Sequence, residues 1–111
     1  MHAQLTYFDG PRTPEQIAAS DFARRERIVP AVSKLSHSFR AYQLRQQDGS
    51  EIVVTIAESE QALLDMQKAI MGTELLPGED PALLPGPDRI ELYPVIDTHD
   101  VNPSSESRSS P

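Results

Sequence analysis

The sequence predicts an α+β domain in which two helices cover one face of a four-stranded antiparallel sheet. Segments typical of strands and helices follow the order strand, helix, strand, strand, helix, strand. A turn motif joins the two middle strands directly, which is typical of an antiparallel hairpin. The chain has 111 residues, enough to close one hydrophobic core but too few for two domains.

The first strand and the first helix are separated by the turn at residues 9–11, Asp-Gly-Pro. Residues 3–8 contain aromatic and β-branched side chains, which favour an extended strand. Thr13 and Gln16 then form a Thr-x-x-Gln capping box, with Pro14 at the first helical position. These residues predict a helix that begins immediately after the turn.

The spacing of apolar residues predicts which side of this helix is buried. Pro30 lacks a backbone N–H, so we expect it to remove one hydrogen bond and to kink the helix near its middle. Arg25 falls in the middle of the apolar side, where an unpaired cation is costly to bury. The apolar side consists of Ala18, Phe22, Val29, Val32 and Leu35, with Ile28 on its flank.

Residues 36–46 and 51–57 are predicted to form a hairpin around the turn at residues 47–49, Gln-Asp-Gly. A three-residue loop places Tyr42 and Leu44 on the same face as the alternate apolar residues of the next strand, whereas a two-residue loop separates them. The first register is preferred because it gathers the apolar side chains beneath the helices. One face then holds Tyr42, Leu44, Ile52, Val54 and Ile56, and the other holds Ala41, Gln43, Arg45, Val53, Thr55 and Ala57.

A second helix is predicted to start at the N-cap Ser59 and to end at Gly72. Glu60 in its first turn is favourable at the positive end of the helix dipole. The apolar side chains recur at helical spacing, so one side of this helix is expected to be buried. The inward positions are Leu63, Met66 and Ile70.

The chain after the second helix is rich in proline. Residues 73–88 contain four of the ten prolines, so regular structure beyond one short turn is not expected there. Pro94 interrupts the last strand, residues 89–96, and predicts an edge position in the sheet. Residues 98–111 are predicted to be a disordered tail to a domain formed by residues 1–97. The proline-rich loop carries four leucines and is therefore expected to dock on its own domain or on a second subunit: Leu75, Leu76, Leu83 and Leu84.

This element order is the split βαβ arrangement of the ferredoxin-like fold, in which one face of the sheet stays bare. A bare face that mixes aromatic, aliphatic and polar side chains suits a second sheet across a partly wet cavity better than bulk water. The sequence therefore predicts a homodimer. The bare face is expected to hold Gln4, Thr6, Phe8, Gln43, Arg45, Val53, Thr55, Glu91, Tyr93 and Val95.

In element order, helix lengths and its apolar final strand, the chain from residue 2 to about residue 97 resembles the dimeric α/β barrel superfamily, which contains antibiotic-biosynthesis-type monooxygenase domains. The resemblance implies that two protomers close a barrel between their sheets, with a small-molecule pocket in each half. Residues 7–11 and 75–89 also resemble segments of small uncharacterised actinobacterial proteins. This second resemblance implies no activity.

The superfamily resemblance implies cofactor-independent oxygenation or isomerisation of a small, largely apolar or aromatic metabolite. Haem-degrading members use a tryptophan and an asparagine beside an axial histidine, but this chain has no tryptophan and one asparagine, Asn102. No cofactor is therefore expected. The alternative is a non-catalytic structural or partner-binding accessory protein whose barrel is filled by Phe8, Phe22 and Phe39.

Two residues are candidates for catalysis and five for ligand contact. His37, at the start of the second strand, is either a general base near neutral pH or a surface residue. Tyr93 is either a phenolic donor inside the barrel or an interface residue, and Glu91 projects to the same face. Arg25 either holds an anionic or phenolate group, or lays its stem along the core while its head reaches water or pairs with Asp21. The remaining ligand-contact candidates are Phe22, Thr6 and Tyr42, the last of which is alternatively a core residue.

Charge and composition exclude several functions. The net charge is −7, and the one basic cluster, residues 24–27, also contains an acid, so nucleic-acid binding is disfavoured. The three histidines are too far apart in sequence to predict a metal site. No apolar run approaches the ~20 residues of a membrane-spanning helix. Because the chain also lacks cysteine and a secretory signal, we expect a cytoplasmic protein.

Overall fold

The computed structural model describes residues 1–103 and has the α+β, ferredoxin-like fold predicted from the element order. The four strands form one antiparallel sheet in the order β2-β3-β1-β4. The strands are β1 (His2–Phe8), β2 (Phe39–Arg45), β3 (Glu51–Ala57) and β4 (Arg89–Pro94). The helical elements are α1 (Pro14–Ala23), a π-helical segment (Arg24–Ile28), α2 (Val29–Val32), α3 (Glu60–Met71) and a 3₁₀ turn (Pro81–Leu83).

Both predicted helix starts are confirmed by their capping hydrogen bonds. The Thr13 hydroxyl accepts the N–H of Gln16 at 3.1 Å, and the Gln16 side chain accepts the N–H of Thr13 at 2.9 Å. The hydroxyl of Ser59 accepts the N–H of Ala62 at 3.1 Å. These bonds satisfy backbone donors that the first turn of a helix leaves without a partner. The predicted inward residues of α3 are also confirmed: Leu63 and Met66 are buried, and Ile70 packs against them.

The first helix changes its winding just before Pro30. Residues 24–28 form the π-helical segment, in which the N–H of Val29 donates to the carbonyl of Arg24. Pro30 has no N–H for the carbonyl four residues earlier, so a regular α-helix cannot run through this point. The disturbance predicted at this proline therefore takes the form of one wider helical turn.

The predicted apolar side of this helix is wrong in its first half. Phe22 is 38 % exposed and Val29 is 55 % exposed, whereas Ala23 is buried. Ala18 is also exposed. The second half of the prediction holds, because Val32 and Leu35 pack against the buried core.

The preferred hairpin register is confirmed, but its assignment to the helix side is wrong. Tyr42 is paired with Val54, so these two side chains share a face, as predicted. The helices cover the other face, where Thr55 and Ala57 are buried and Ala57 joins the core of α3. Both faces of β3 are partly apolar, so apolar content alone did not reveal which one is covered. Several residues that were predicted on the bare face therefore lie on the covered face: Gln4, Thr6, Phe8, Gln43, Arg45, Val53 and Thr55.

The uncovered face of the sheet, called the open face below, is mainly apolar. Its central residue is Val54, flanked on the neighbouring strands by Tyr42 and Leu5. Glu91 and Tyr93 lie on this face, as predicted. The open face comprises Ala3, Leu5 and Tyr7 of β1, Arg40, Tyr42 and Leu44 of β2, Ile52, Val54 and Ile56 of β3, and Arg89, Glu91 and Tyr93 of β4.

The chain after α3 follows the prediction closely. Residues 73–88 contain one short turn, and strand β4 lies at an edge of the sheet. Residues 98–103 have no regular structure, and the rest of the predicted tail lies outside the described residues. Among the residues that the structure describes, no helix is both long and apolar enough to cross a membrane.

Candidate functional site

A cavity of about 970 Å³ lies between the helices and the covered face of the sheet. Its wall is mainly apolar, with a group of arginines at one end and His37 at another point of the wall. Phe8 and Phe39 line the cavity without filling it. A space of this size exceeds what a small metabolite needs, and such cavities are the usual location of ligand sites.

The arginine end of the cavity is organised around one buried carboxylate, Glu51. Its side chain is fully buried and accepts hydrogen bonds from three guanidinium groups. The donor distances are 3.1 Å from Arg12 Nη2, 2.8 Å from Arg24 Nη2 and 2.8 Å from Arg45 Nε. A buried carboxylate is stable in this position because each oxygen is paired with a cation.

Asp21 extends this cluster toward the outside of the protein. It accepts hydrogen bonds from Arg24 at 2.8 Å and from Arg45 at 2.6 Å. Burial alone raises the pKa of Asp21, but these two arginines outweigh it and hold the pKa below its ordinary value. We call the group of Arg12, Arg24, Arg45, Asp21 and Glu51 the arginine cluster.

A chain of polar side chains crosses the sheet floor of the cavity. The Gln67 amide donates to Gln4 Oε1 at 2.6 Å, and the Gln4 amide donates to Thr6 Oγ1 at 3.1 Å. Thr6 was expected to contact a ligand, and it lines this cavity. Its hydroxyl accepts the bond from Gln4, and within residues 1–103 it donates no hydrogen bond, so the O–H can serve as a donor to a ligand.

The proline-rich loop forms a wall of the cavity, so this segment contacts its own domain, which is one of the two placements expected for it. Glu79 anchors it by accepting hydrogen bonds from Arg27 Nε at 2.8 Å and from the backbone N–H of Leu76 at 2.7 Å. Arg27 also donates to Thr73 Oγ1 at 2.7 Å. The Arg27 hydrogen bond is the main reason that the pKa of Glu79 lies below its ordinary value. The loop residues that face the cavity are Leu83, Leu84, Pro85, Gly86, Pro87 and Asp88.

His37 lines the cavity, but both of its ring nitrogens are already engaged. Nδ1 lies 2.7 Å from Glu58 Oε1, and Nε2 lies 3.1 Å from Asp65 Oδ2. The Glu58 hydrogen bond, followed by that of Asp65, raises the pKa of His37 above 6.5. This geometry favours a protonated residue that ties the start of β2 to α3, rather than a free general base.

Arg25 and Phe22 lie outside the cavity. The Arg25 side chain is 65 % exposed and pairs with Glu26 at 3.1 Å, not with Asp21. Its guanidinium carbon lies 6.0 Å from the centre of the Phe22 ring. The π-helical turn and the helix phase place Arg24 and Arg27 inward instead. Arg25 instead lines a shallower depression of about 670 Å³, whose wall also includes Asp21, Arg24 and Arg45 of the arginine cluster.

Three further candidates lie on the open face, on the other side of the sheet from the cavity. Tyr42 and Tyr93 are each half exposed there, so Tyr42 is not a core residue beneath the helices. Glu91 is beside Tyr7 and raises the pKa of its phenol by hydrogen bonding. None of the three reaches the cavity, because alternate residues of a strand point to opposite faces.

The cavity-lining polar residues of the first helix escaped the sequence prediction. Gln16, Ser20, Arg24 and Arg27 all line the cavity. They are spaced by three or four residues, which is the period of one helix face. The periodicity is therefore visible in the sequence, but a polar helix face is ordinarily the side exposed to solvent, so the spacing alone does not reveal the cavity. Within residues 1–103, no group of three or more His, Asp or Glu side chains is arranged to hold a metal ion.

No protein-family model matches the chain, and a search of curated proteins found no match. Among solved structures, the chain is similar to an uncharacterized NIPSNAP domain protein from Burkholderia xenovorans, whose crystal structure is known. The TM-score is 0.54 and the sequence identity is 11 %, over 90 % of this chain and 100 % of the other. At this identity the similarity shows the fold alone. Membership of the dimeric α/β barrel superfamily stays a prediction.

Proposed function

We propose that this chain is a homodimeric protein that binds a small, largely apolar or aromatic molecule in the cavity between its helices and its sheet. The observation that carries the proposal is the cavity of about 970 Å³ within a single protomer. Its apolar wall would hold the body of the ligand by the hydrophobic effect. The few polar groups, among them Thr6 and Arg24, would orient it.

The open space favours binding over the alternative of a filled, purely structural barrel. Phe8 and Phe39 form part of the wall, and Phe22 is 38 % exposed and does not line the cavity. The buried core is small for a chain of this length and is formed mainly by Ala57, Ala62, Leu63 and Met66. Protein interiors are normally close-packed, so a large space beside so small a core supports a binding role.

The open face supports the dimer. Nine of its twelve side chains are apolar or aromatic, and an apolar sheet face of this kind is unfavourable in water. Arg40 and Glu91 lie on strands at opposite edges of this face. Two copies related by an axis parallel to the strands would bring these opposite charges together. Such a pair would form the dimeric α/β barrel that the sequence resembles.

The proposal is for binding. Cofactor-independent oxygenation or isomerisation stays a prediction from the resemblance, because the two candidate catalytic residues do not meet. Tyr93 is on the open face, and His37 is held by two carboxylates on the cavity wall.

Native mass spectrometry of the protein purified from its own host tests the proposal. We expect one small molecule retained per protomer. Val53→Phe places a ring inside the cavity and should abolish retention. Leu64→Phe adds a ring at an exposed position of α3 that does not line the cavity and should leave retention unchanged. Wild-type protein without a bound small molecule in every preparation would contradict the proposal.

A further inference from the structure

The arginine cluster holds more positive than negative charge. Three guanidinium groups, on Arg12, Arg24 and Arg45, face two carboxylates, on Glu51 and Asp21. At neutral pH the cluster therefore keeps one net positive charge. Each guanidinium group has a carboxylate partner, so the excess is one charge shared by the cluster. Because the Arg12 and Arg24 side chains are only 10 % and 24 % exposed, water compensates this charge incompletely, which favours an anion beside them.

The other charged groups around the cavity do not neutralise this excess. Arg27 is already paired with Glu79 at 2.8 Å. Asp9 and Asp88 also line the cavity, but both are exposed, and the Asp88 carboxylate accepts the backbone N–H of Asp9 at 2.7 Å. Exposed carboxylates are screened by water, so they compete weakly with an anion beside the arginines.

Arg12 and Arg24 line the cavity and retain unused hydrogen-bond donors. A guanidinium group carries five N–H donors. Within residues 1–103, Arg24 donates to Asp21, Ser20 and Glu51, and Arg12 donates to Gly49 and Glu51. The remaining N–H groups are those that a carboxylate would accept.

We propose that the ligand of this cavity carries a carboxylate on its apolar body, bound by Arg12 and Arg24. This inference rests on the proposed function, because it specifies the chemical class of the molecule in the same cavity. One residual positive charge matches a monoanion better than a doubly charged phosphate. The apolar body would extend along Met66, Ile70 and Leu83, which line the same space.

Three probes with one aromatic body test the inference by isothermal titration calorimetry: naphthalene-2-carboxylate, 2-naphthylmethanol and 2-naphthylmethylammonium. The carboxylate should bind the wild-type protein at least about 10-fold more tightly than the alcohol, and the ammonium most weakly. Equal affinity for the carboxylate and the alcohol would overturn the inference but leave the cavity as a binding site. No binding of any of the probes would overturn both this inference and the proposed function.

A matched pair of arginine variants locates the effect. Arg24→Gln should weaken carboxylate binding about 10-fold and leave alcohol binding unchanged. Arg25→Gln removes the same charge from the adjacent exposed residue and should change neither affinity. Glu51 keeps Arg12 and Arg45 as partners in Arg24→Gln, so this variant should fold, which circular dichroism checks. Arg12→Gln is a second variant, and it should likewise weaken binding of the carboxylate but not of the alcohol. If both variants keep the wild-type preference for the carboxylate over the alcohol, the assignment of Arg12 and Arg24 as the carboxylate site is overturned.

Discussion

The two faces of the sheet differ in the polarity of their side chains, and the more polar face is the one that the helices cover. Along β3, Glu51 and Thr55 point toward the helices and are buried, whereas Ile52 and Val54 point to the open face. Covered sheet faces are normally the more apolar ones. The difference indicates that the helices enclose a cavity rather than a close-packed core.

The two faces of this small sheet therefore have separate roles. The covered side supplies the polar and charged groups that would orient a ligand, namely Thr6 of the sheet together with Arg12 and Arg24 of the elements that cover it. The open face supplies an apolar surface for a second copy. Each role can be disrupted alone, because a substitution on one face leaves the side chains of the other face in place.

The largest effect is expected for the covered face. Glu51→Ala leaves three guanidinium groups without their shared carboxylate and should lower the free energy of unfolding by about 3–5 kcal/mol. Urea unfolding followed by circular dichroism measures this loss. Glu26→Ala removes an exposed carboxylate paired with Arg25 and should cost less than about 1 kcal/mol. Similar losses in the two variants would show that the cluster is not a buried network.

On the open face, Val54→Asp should break the proposed dimer. A charge at the centre of an apolar interface should weaken dimerisation by about 100-fold, equivalent to about 2.7 kcal/mol. Gln43→Asp adds a carboxylate to the neighbouring strand, but on the helix side, and should leave dimerisation unchanged. Sedimentation velocity distinguishes the two outcomes. Equal dimer fractions in both variants would remove the distinction between the faces.

A smaller effect is expected for a substitution in the proline-rich loop, residues 73–88, which forms a wall of the cavity. Glu79→Ala removes the acceptor of Arg27 and of the Leu76 N–H, so residues 73–88 should open locally. Hydrogen exchange of the loop amides should accelerate about 10-fold, while strand amides stay protected. Glu74→Ala, an exposed residue of the same loop, is the control. Acceleration across the whole sheet would mean global destabilisation rather than a detached wall.

The smallest effect concerns the pH dependence of stability at His37. Its pKa is raised in the folded protein by Glu58 and Asp65, so its stabilising contribution is complete below about pH 6.5. That contribution is lost as the pH rises through the folded-state pKa. Urea midpoints should therefore fall between about pH 5.5 and pH 8.5 more for the wild type than for His37→Gln. If the urea midpoints of the wild type and of His37→Gln change with pH in parallel, neither Glu58 nor Asp65 stabilises the imidazolium of His37.

The fold was predictable because local signals agreed with one another. The capping residues Thr13 and Ser59 fixed both helix starts, and the Gly49 turn fixed the hairpin. Gly49 has a φ of 88°, which glycine adopts without strain. Pro94 likewise predicted the edge strand correctly.

The site was less predictable, because its chemistry depends on which face the helices cover. Apolar residues were assumed to face inward, which placed Arg25 on the inward side of the helix. The reverse is observed, since the inward side of the helix lines a cavity that holds charged groups. A pairing between Glu51 and three arginines from separate elements has no local sequence signal. Only the assembled fold brings them together.

The mass of the protein in solution tests most directly the central claim, that the open face belongs to a second copy. Light scattering after size-exclusion chromatography should give twice the chain mass of 12.3 kDa at micromolar concentrations. The Val54→Asp variant should give the mass of one chain. A wild-type mass of 12.3 kDa across the whole concentration range would contradict the account.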